Sequence, residues 1–141
     1  MRIIIAGSRS FDDYGLLCRE CNRIIQEYKM FNDVGFEIVE GGARGADTLA
    51  KWYALDKNYK LTIMNADWDK FGRGAGYIRN EQMAKYALED PKRICILFWD
   101  QESKGTKNMR DIAEKYGIKT FIVPFLPKDD QYKQENVNFR Q

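Results

Sequence analysis

Short β-branched runs alternate with stretches of helical period along this chain. Arg2 to Ala6 is an almost unbroken apolar run, the pattern of a strand buried on both faces of a parallel sheet. Over 14–29 the residues Leu17, Cys21, Ile24, Ile25 and Tyr28 fall on one helical face. Asn32-Asp33-Val34-Gly35 breaks that helix, and 36–39 reads as a second strand. Leu49, Ala50, Tyr53 and Ala54 mark the inner side of a helix over 46–56, followed by a third strand over 61–65. A helix over 78–88 turns Met83, Ala84, Ala87 and Leu88 inward, and Asp90-Pro91 ends it. A fourth strand covers 94–99. The helix opened by 100–106 buries Met109, Ile112, Ala113 and Tyr116 and stops at Gly117. A fifth strand covers 119–123, before Pro124.

Five strands alternating with four helices predict an α/β fold around a five-stranded parallel sheet, its connections right-handed. The periodic pattern forms one domain over 1–126. The polar, patternless tail over 127–141 is expected to be loosely ordered or draped on the surface. No internal repeat interrupts this plan. Ligands of such sheets sit beyond the carboxyl ends of the strands, near the reversal of strand order.

The glycine-rich turn Gly41-Gly42-Ala43-Arg44-Gly45 joins the second strand to its helix at such an end. Glycines permit positive φ and close approach to bare backbone, and the first helical turn offers unpaired N–H groups and partial positive charge. That combination is an anion cradle, and Arg44 adds a planar fork suited to phosphate or carboxylate. The long connection over 66–77 carries three glycines, Trp68, Phe71 and Arg73. Loops of this length in compact domains are more often functional than idle.

Composition narrows the field. Hydrophobic residues at 44% and charged residues at 31% describe an ordinary soluble domain, and a net charge of +2 gives no dedicated nucleic-acid surface. No apolar run reaches membrane-spanning length, and the first six residues are too short for a signal peptide, so a cytoplasmic location is expected. There is no histidine, which removes Ser-His-Asp and Cys-His mechanisms. Cys18 and Cys21 form a C-x-x-C pair inside a helical stretch, and only Cys95 adds a further thiol. Structural zinc needs about four ligands, so these read as plain thiols, and neither metal nor cofactor is expected.

Neither G-x-G-x-x-G after the first strand nor G-x-x-x-x-G-K-[ST] occurs. Four other motifs appear in order: Ala6-Gly7-Ser8-Arg9, Gly41 through Asp47, Ala75-Gly76-Tyr77-Ile78-Arg79-Asn80, and Lys104-Gly105-Thr106-Lys107-Asn108. Together they resemble the SLOG superfamily of the SMF/DprA and Lonely-guy proteins, closest to its small YspA-like, YpsA-related branch of bacteria and phages. The similarity runs from Ile3 to about Val123. It implies a Rossmann-like three-layer sandwich that binds nucleotides or nucleotide-derived ligands, and it is compatible with a homo-oligomer joined through the third or fourth helix. Gly42, Arg44, Gly45 and Asp47 match the first family loop, Arg79 and Asn80 an Arg-Asn pair of the DprA branch, and Gly105 and Thr106 the second glycine loop of the Lonely-guy branch. In that last branch a glutamate pair follows and serves a phosphoribohydrolase site. Here Asn108 and Met109 stand there, and asparagine cannot act as a carboxylate base.

The expected ligand-binding set is therefore Gly7, Ser8, Arg9, Gly41, Gly42, Ala43, Arg44, Gly45, Asp47, Arg79, Asn80, Trp99, Lys104, Gly105 and Thr106. Amides of the turn over 42–45 and of Gly105-Thr106 hold phosphate oxygens on this reading. Ser8 and Thr106 either donate hydroxyls to the ligand or cap helices. Arg9 and Arg79 pair with phosphate, or Arg79 with a surface carboxylate. Asp47 complements its helix dipole, accepts from a ribose hydroxyl, or orients Arg44. Trp68, Phe71 and Tyr77 either sandwich a base or form satellite core. Trp99 and Asp100 are placed on the pocket floor.

Three functions follow. The first is a binding module that senses or sequesters a phosphate-bearing nucleotide derivative. The second is a nucleotide N-glycosidase, with Asp47, Asp69, Asp100 or Glu102 as acids. The third, from the DprA resemblance, is single-stranded DNA binding, against which the near-neutral charge argues.

Overall fold

The computed structural model describes residues 1–29 and 35–127. The expected helix break over 32–34 and the tail beyond 127 lie outside the described residues. Five parallel strands build one sheet: β1 (Arg2–Gly7), β2 (Glu37–Glu40), β3 (Lys60–Ile63), β4 (Arg93–Trp99) and β5 (Lys119–Pro124). Their order is β3-β2-β1-β4-β5, so the direction of winding reverses between β1 and β4. This is the doubly wound, Rossmann-like arrangement expected from the alternation of strands and helices.

The burial pattern explains why β1 is central. Ile3 and Ile5 point into one core cluster, and Ile4 and Ala6 into another on the opposite face. The first cluster is completed by Leu17, Cys21 and Ile24 of α1 (Tyr14–Tyr28) and by Leu49, Ala50 and Tyr53 of α2 (Ala46–Lys57). The second is completed by Met83, Ala84 and Ala87 of α4 (Ala75–Leu88) and by Met109, Ile112 and Ala113 of α5 (Lys104–Lys115). Helices thus cover both faces, and a strand with no polar face is the only kind that can lie between them. Tyr28, expected on the inner face of α1, is half exposed and meets Phe121 edge-on at 4.8 Å. Cys21 and Cys95 are buried among apolar neighbours, which pushes both thiols well above their ordinary range.

The connection over 66–77 is more ordered than its composition suggests. It contains a single helical turn, α3 (Trp68–Phe71), and a 3₁₀ turn, Gly72–Gly74, and α4 begins at Ala75 rather than Ile78. Asp67 caps α3 by accepting from the Lys70 N–H at 3.1 Å. Ala75 is buried, which draws the start of α4 three residues earlier. Among the described residues no helix is long and apolar enough to cross a membrane.

Candidate functional site

The glycine turn after β2 is shaped chiefly by the protein's own groups. Gly42 and Gly45 have φ of 73° and 78°. A Cβ on Gly42 would stand 1.9 Å from Asn65 Oδ1, and one on Gly45 would stand 2.5 Å from the Ser8 and Arg9 carbonyl oxygens. A Cβ on Gly41 would meet Arg79 Nη1 at 2.5 Å and Asp47 Oδ2 at 2.9 Å. Two carboxylates hold the amides of this turn. Glu40 Oε2 accepts from the Gly42 N–H at 3.2 Å, and Asp47 Oδ2 accepts from the Ala43 N–H at 3.1 Å. The amides of Gly42 and Ala43, expected to hold phosphate, are thus already engaged. The Thr48 hydroxyl donates to the Ala43 carbonyl at 3.1 Å and closes the turn from behind.

Glu40 and Asp47 are 2% and 5% exposed, so both carry a heavy desolvation cost when ionised. Burial, reinforced by the neighbouring Asp47, pushes the Glu40 carboxyl up to about 7. Burial also raises Asp47, to about 6, although the Ala43 amide and the Arg79 guanidinium pull the other way. Glu40 Oε1 is buried with no hydrogen-bond partner among the described residues. Glu40 is not among the residues expected from the sequence. An acidic residue ending a doubly buried strand, directly before two glycines, is the signal that could have marked it.

Arg79 ties the turn to α4. Its Nη1 donates to the Gly41 carbonyl and its Nε to Asn80 Oδ1 at 3.1 Å. Burial lowers its affinity for its proton, Asp47 restores part of it, and the like charge of Arg9 lowers it again. The carboxylates beside Arg79 are therefore the buried pair, not a surface group. Asn80, 4% exposed, continues the chain of contacts: its Nδ2 donates to the Gly105 carbonyl at 3.3 Å and to Asn108 Oδ1 at 2.9 Å. Asn108, expected to take the place of a Lonely-guy glutamate, is thus engaged with Asn80.

Beyond the carboxyl ends of β1 and β4, at the reversal of strand order, lies a cavity of about 390 Å³. Of the expected residues it gathers Gly7, Arg9, Ala43, Asp47, Arg79, Asn80, Gly105 and Thr106, and it adds Arg73, Ser103, Trp68 and Tyr77. Trp68 and Tyr77 are each about half exposed and present ring surface to this space. Gly41, Gly42 and Arg44 line an adjoining hollow of about 600 Å³ that shares Arg9, Ala43, Trp68 and Arg79 with the first. Arg9, Arg44 and Arg73 are exposed, and none makes a hydrogen bond or ion pair among the described residues. The site is therefore ringed with uncommitted cations.

The N-terminus of α5 faces the same cavity. Ser103 caps it, its hydroxyl accepting from the Thr106 N–H at 3.3 Å and from the Thr106 hydroxyl at 3.0 Å. Gly105 occupies the first turn, and a Cβ there would meet nothing within 4 Å. Unlike the glycines of the β2 turn, Gly105 is not required by any contact of the protein with itself.

Other expected residues lie outside both hollows. Ser8 is 1% exposed, and its hydroxyl accepts from the Asp100 N–H at 3.0 Å. Asp100 braces the following loop by accepting from the Glu102 and Ser103 N–H groups at 2.9 and 2.8 Å. Burial alone would raise its carboxyl, but those donors and the Ser8 hydroxyl hold it below the ordinary range. Trp99 lies beneath the loop, its indole N–H donating to the Ser103 carbonyl at 3.0 Å and its ring covered by Arg110, so it supports the cavity without lining it. Gly45 sits under the β1 loop and Lys104 points to solvent, and Phe71, Asp69 and Glu102 are on the surface outside the lining. Of the four acids considered for hydrolysis, only Asp47 reaches the cavity.

The family profile described as "YspA, cpYpsA-related SLOG family" matches residues 1–71 of the chain. The "Gene 61 protein" of Mycobacterium phage D29 is 31% identical over 126 residues, an alignment covering 83% of this chain and 91% of that protein. No solved structure matches. The chain belongs to the YspA, cpYpsA-related SLOG family.

Proposed function

We propose that this SLOG-family chain binds a phosphate-bearing nucleotide or nucleotide-derived ligand in the cavity at the β1/β4 reversal, for sensing or sequestration. The observation that carries the reading is the convergence of Arg9, Arg73 and Arg79 with the α5 N-terminus, where Gly105 leaves the backbone uncovered. Phosphate is the natural guest of such a set, because guanidinium forks and helix-end amides both favour a multiply charged oxyanion. Trp68 and Tyr77 supply aromatic faces on which a base can stack. With the Gly42 and Ala43 amides held by Glu40 and Asp47, and the Thr106 amide by Ser103, this reading seats the phosphate nearer Gly105 than the start of the β2 turn.

A hydrolytic reading has one observation in its favour. Asp47 lines the cavity with its carboxyl raised to about 6, the state of an acid able to protonate a leaving base. Glycoside cleavage ordinarily uses a second carboxylate on the opposite side of the bond, and among the described residues none other lines the cavity. Isothermal titration with nucleoside monophosphates, followed by chromatography of the same mixtures, separates the two readings. Saturable binding with intact nucleotide supports the binder, and steady release of free base replaces it with the hydrolase. Absence of binding by every nucleotide overturns the assignment.

A further inference from the structure

The β2 turn sets carboxylates beside the guanidiniums to which the anion is assigned above. Asp47, in the first turn of α2, lines the cavity together with Arg9 and Arg79. Glu40, the last residue of β2, borders neither hollow and is 2% exposed. Each carboxylate holds one amide of the turn, Glu40 that of Gly42 and Asp47 that of Ala43. The other oxygen of Glu40, Oε1, is buried with no hydrogen-bond partner among the described residues. When Glu40 is ionised, neither solvent nor a donor stabilises that oxygen, and a proton removes the charge that needs them.

The charges that face the pair come from three elements. Asp47 and Lys51 of α2 and Arg79 of α4 act on Glu40. Arg79 and, from the loop after β1, Arg9 act on Asp47. The cations that favour ionised Asp47 are thus the same guanidiniums that border both hollows. An oxyanion seated there draws on their charge and adds negative charge beside Asp47, and both effects disfavour the carboxylate. Guanidiniums do not give up their protons, so the carboxyls are the groups that respond. Burial has already brought them to the point of responding, Glu40 to about 7 and Asp47 to about 6.

From this arrangement we infer that Glu40 and Asp47 form an internal anion that competes with the ligand for Arg9 and Arg79, so that an oxyanion enters the site together with a proton. The proton comes from solvent and ends on a carboxylate oxygen of the pair. In acid the competitor is neutral and binding is strongest. As pH rises through the range in which the pair ionises, affinity falls. The location rests on the anion site of the proposed function, whereas the coupling needs an oxyanion and no nucleoside.

The test uses anions that keep a fixed charge from about pH 5 to 8: inorganic sulfate, and the methyl ester of each common nucleoside 5′-monophosphate. Calorimetric titration of the full chain in buffers of different ionisation enthalpy counts the protons taken up. About half a proton enters with each anion near neutral pH, and dissociation constants are about tenfold higher at about pH 8 than at about pH 5. Glu40→Gln, which keeps an acceptor for Gly42, lowers the proton uptake and narrows the pH dependence. Combined with Asp47→Asn it abolishes both, and affinity in alkali approaches that of the parent in acid. The count on the parent chain stands even where the double variant does not fold. Binding of sulfate or an ester with the same affinity across this range and no proton uptake overturns the coupling, and an ester so bound leaves the nucleotide reading standing. Undiminished uptake in the double variant also overturns it. Sulfate bound with proton uptake while every ester is refused upholds the coupling and overturns the nucleotide reading. Failure of every anion to bind at any pH overturns both.

Discussion

Glu40 and Asp47 grip neighbouring amides of one turn: Glu40 Oε2 takes the Gly42 N–H at 3.2 Å, and Asp47 Oδ2 takes the Ala43 N–H at 3.1 Å. Both carboxyls are buried, and the charge of Asp47 makes the ionisation of Glu40 more costly. A turn that sequence alone presents as an empty anion cradle is therefore partly filled by anions of its own. Arg79, set against Gly41, favours the charged form of both, and Lys51 adds to it at Glu40.

The pair has a definite consequence for stability against pH. Glu40 rises from 4.5 to about 7 and Asp47 from 3.8 to about 6 on folding, so the folded chain binds more protons than the unfolded one across that interval. Stability contributed by these groups is complete below about pH 4 and is lost as pH rises toward 7. Glu40→Gln keeps the shape and an oxygen acceptor for Gly42 but removes the titration. Urea unfolding at several pH values should show Glu40→Gln gaining on the parent by on the order of 2 kcal/mol between about pH 4 and 7. A difference independent of pH contradicts the buried, proton-coupled pair.

Arg79 connects the β2 turn, Asn80 and, through Asn80, the start of α5. Arg79→Ala leaves the Gly41 carbonyl without this donor and the buried Asp47 without the cation that most favours its charge. The expected loss is about 2 kcal/mol or more in urea unfolding. Because the same guanidinium borders both hollows, nucleotide affinity should fall by about a hundredfold, measured by titration under conditions where the variant remains folded. Loss of stability with unchanged affinity would confine Arg79 to a bracing role.

The sheet was legible because β-branched runs and helical spacing report burial directly, as in Ile3, Ile4 and Ile5, which fill cores on alternate faces of one strand. The strand tips, where a parallel sheet is expected to place its ligands, are where the two hollows lie. The direction of side chains was not legible. Nothing in Glu37-Ile38-Val39-Glu40 tells that Glu40 folds back onto Gly42, or that Trp99 turns beneath its loop to meet Ser103. Asp67, read as part of an irregular loop, is a cap whose acceptor role starts a helical turn. Arg73, noted only for its place in that loop, reaches the cavity once the turn is formed.

Trp68 and Phe71 are three residues apart on the same short turn, yet only Trp68 borders the hollows. If base stacking supplies part of the affinity, Trp68→Ala should cost about 1–3 kcal/mol of binding, while Phe71→Ala leaves the dissociation constant within about twofold. Quenching of tryptophan fluorescence by the nucleotide in the parent, reduced in Trp68→Ala, is the accompanying signal. Equal effects from the two variants would place the base elsewhere.

Gly42 and Gly105 separate what the fold requires of glycine from what a ligand requires. Gly42 has positive φ, and a Cβ there collides with the Asn65 side chain, so Gly42→Ala should destabilise the chain by about 1–3 kcal/mol. Gly105 lies in the first turn of α5 with open space where a Cβ would go. Alanine at that position loses less backbone entropy on folding, so Gly105→Ala should leave stability unchanged or raise it by up to about 1 kcal/mol. The added methyl, however, stands where phosphate must approach the α5 amides, and nucleotide affinity should drop by about tenfold or more. Thermal unfolding and titration of the same preparation check both halves. A Gly105→Ala protein that is as stable as the parent and binds as well would mean that the phosphate does not sit at the α5 N-terminus.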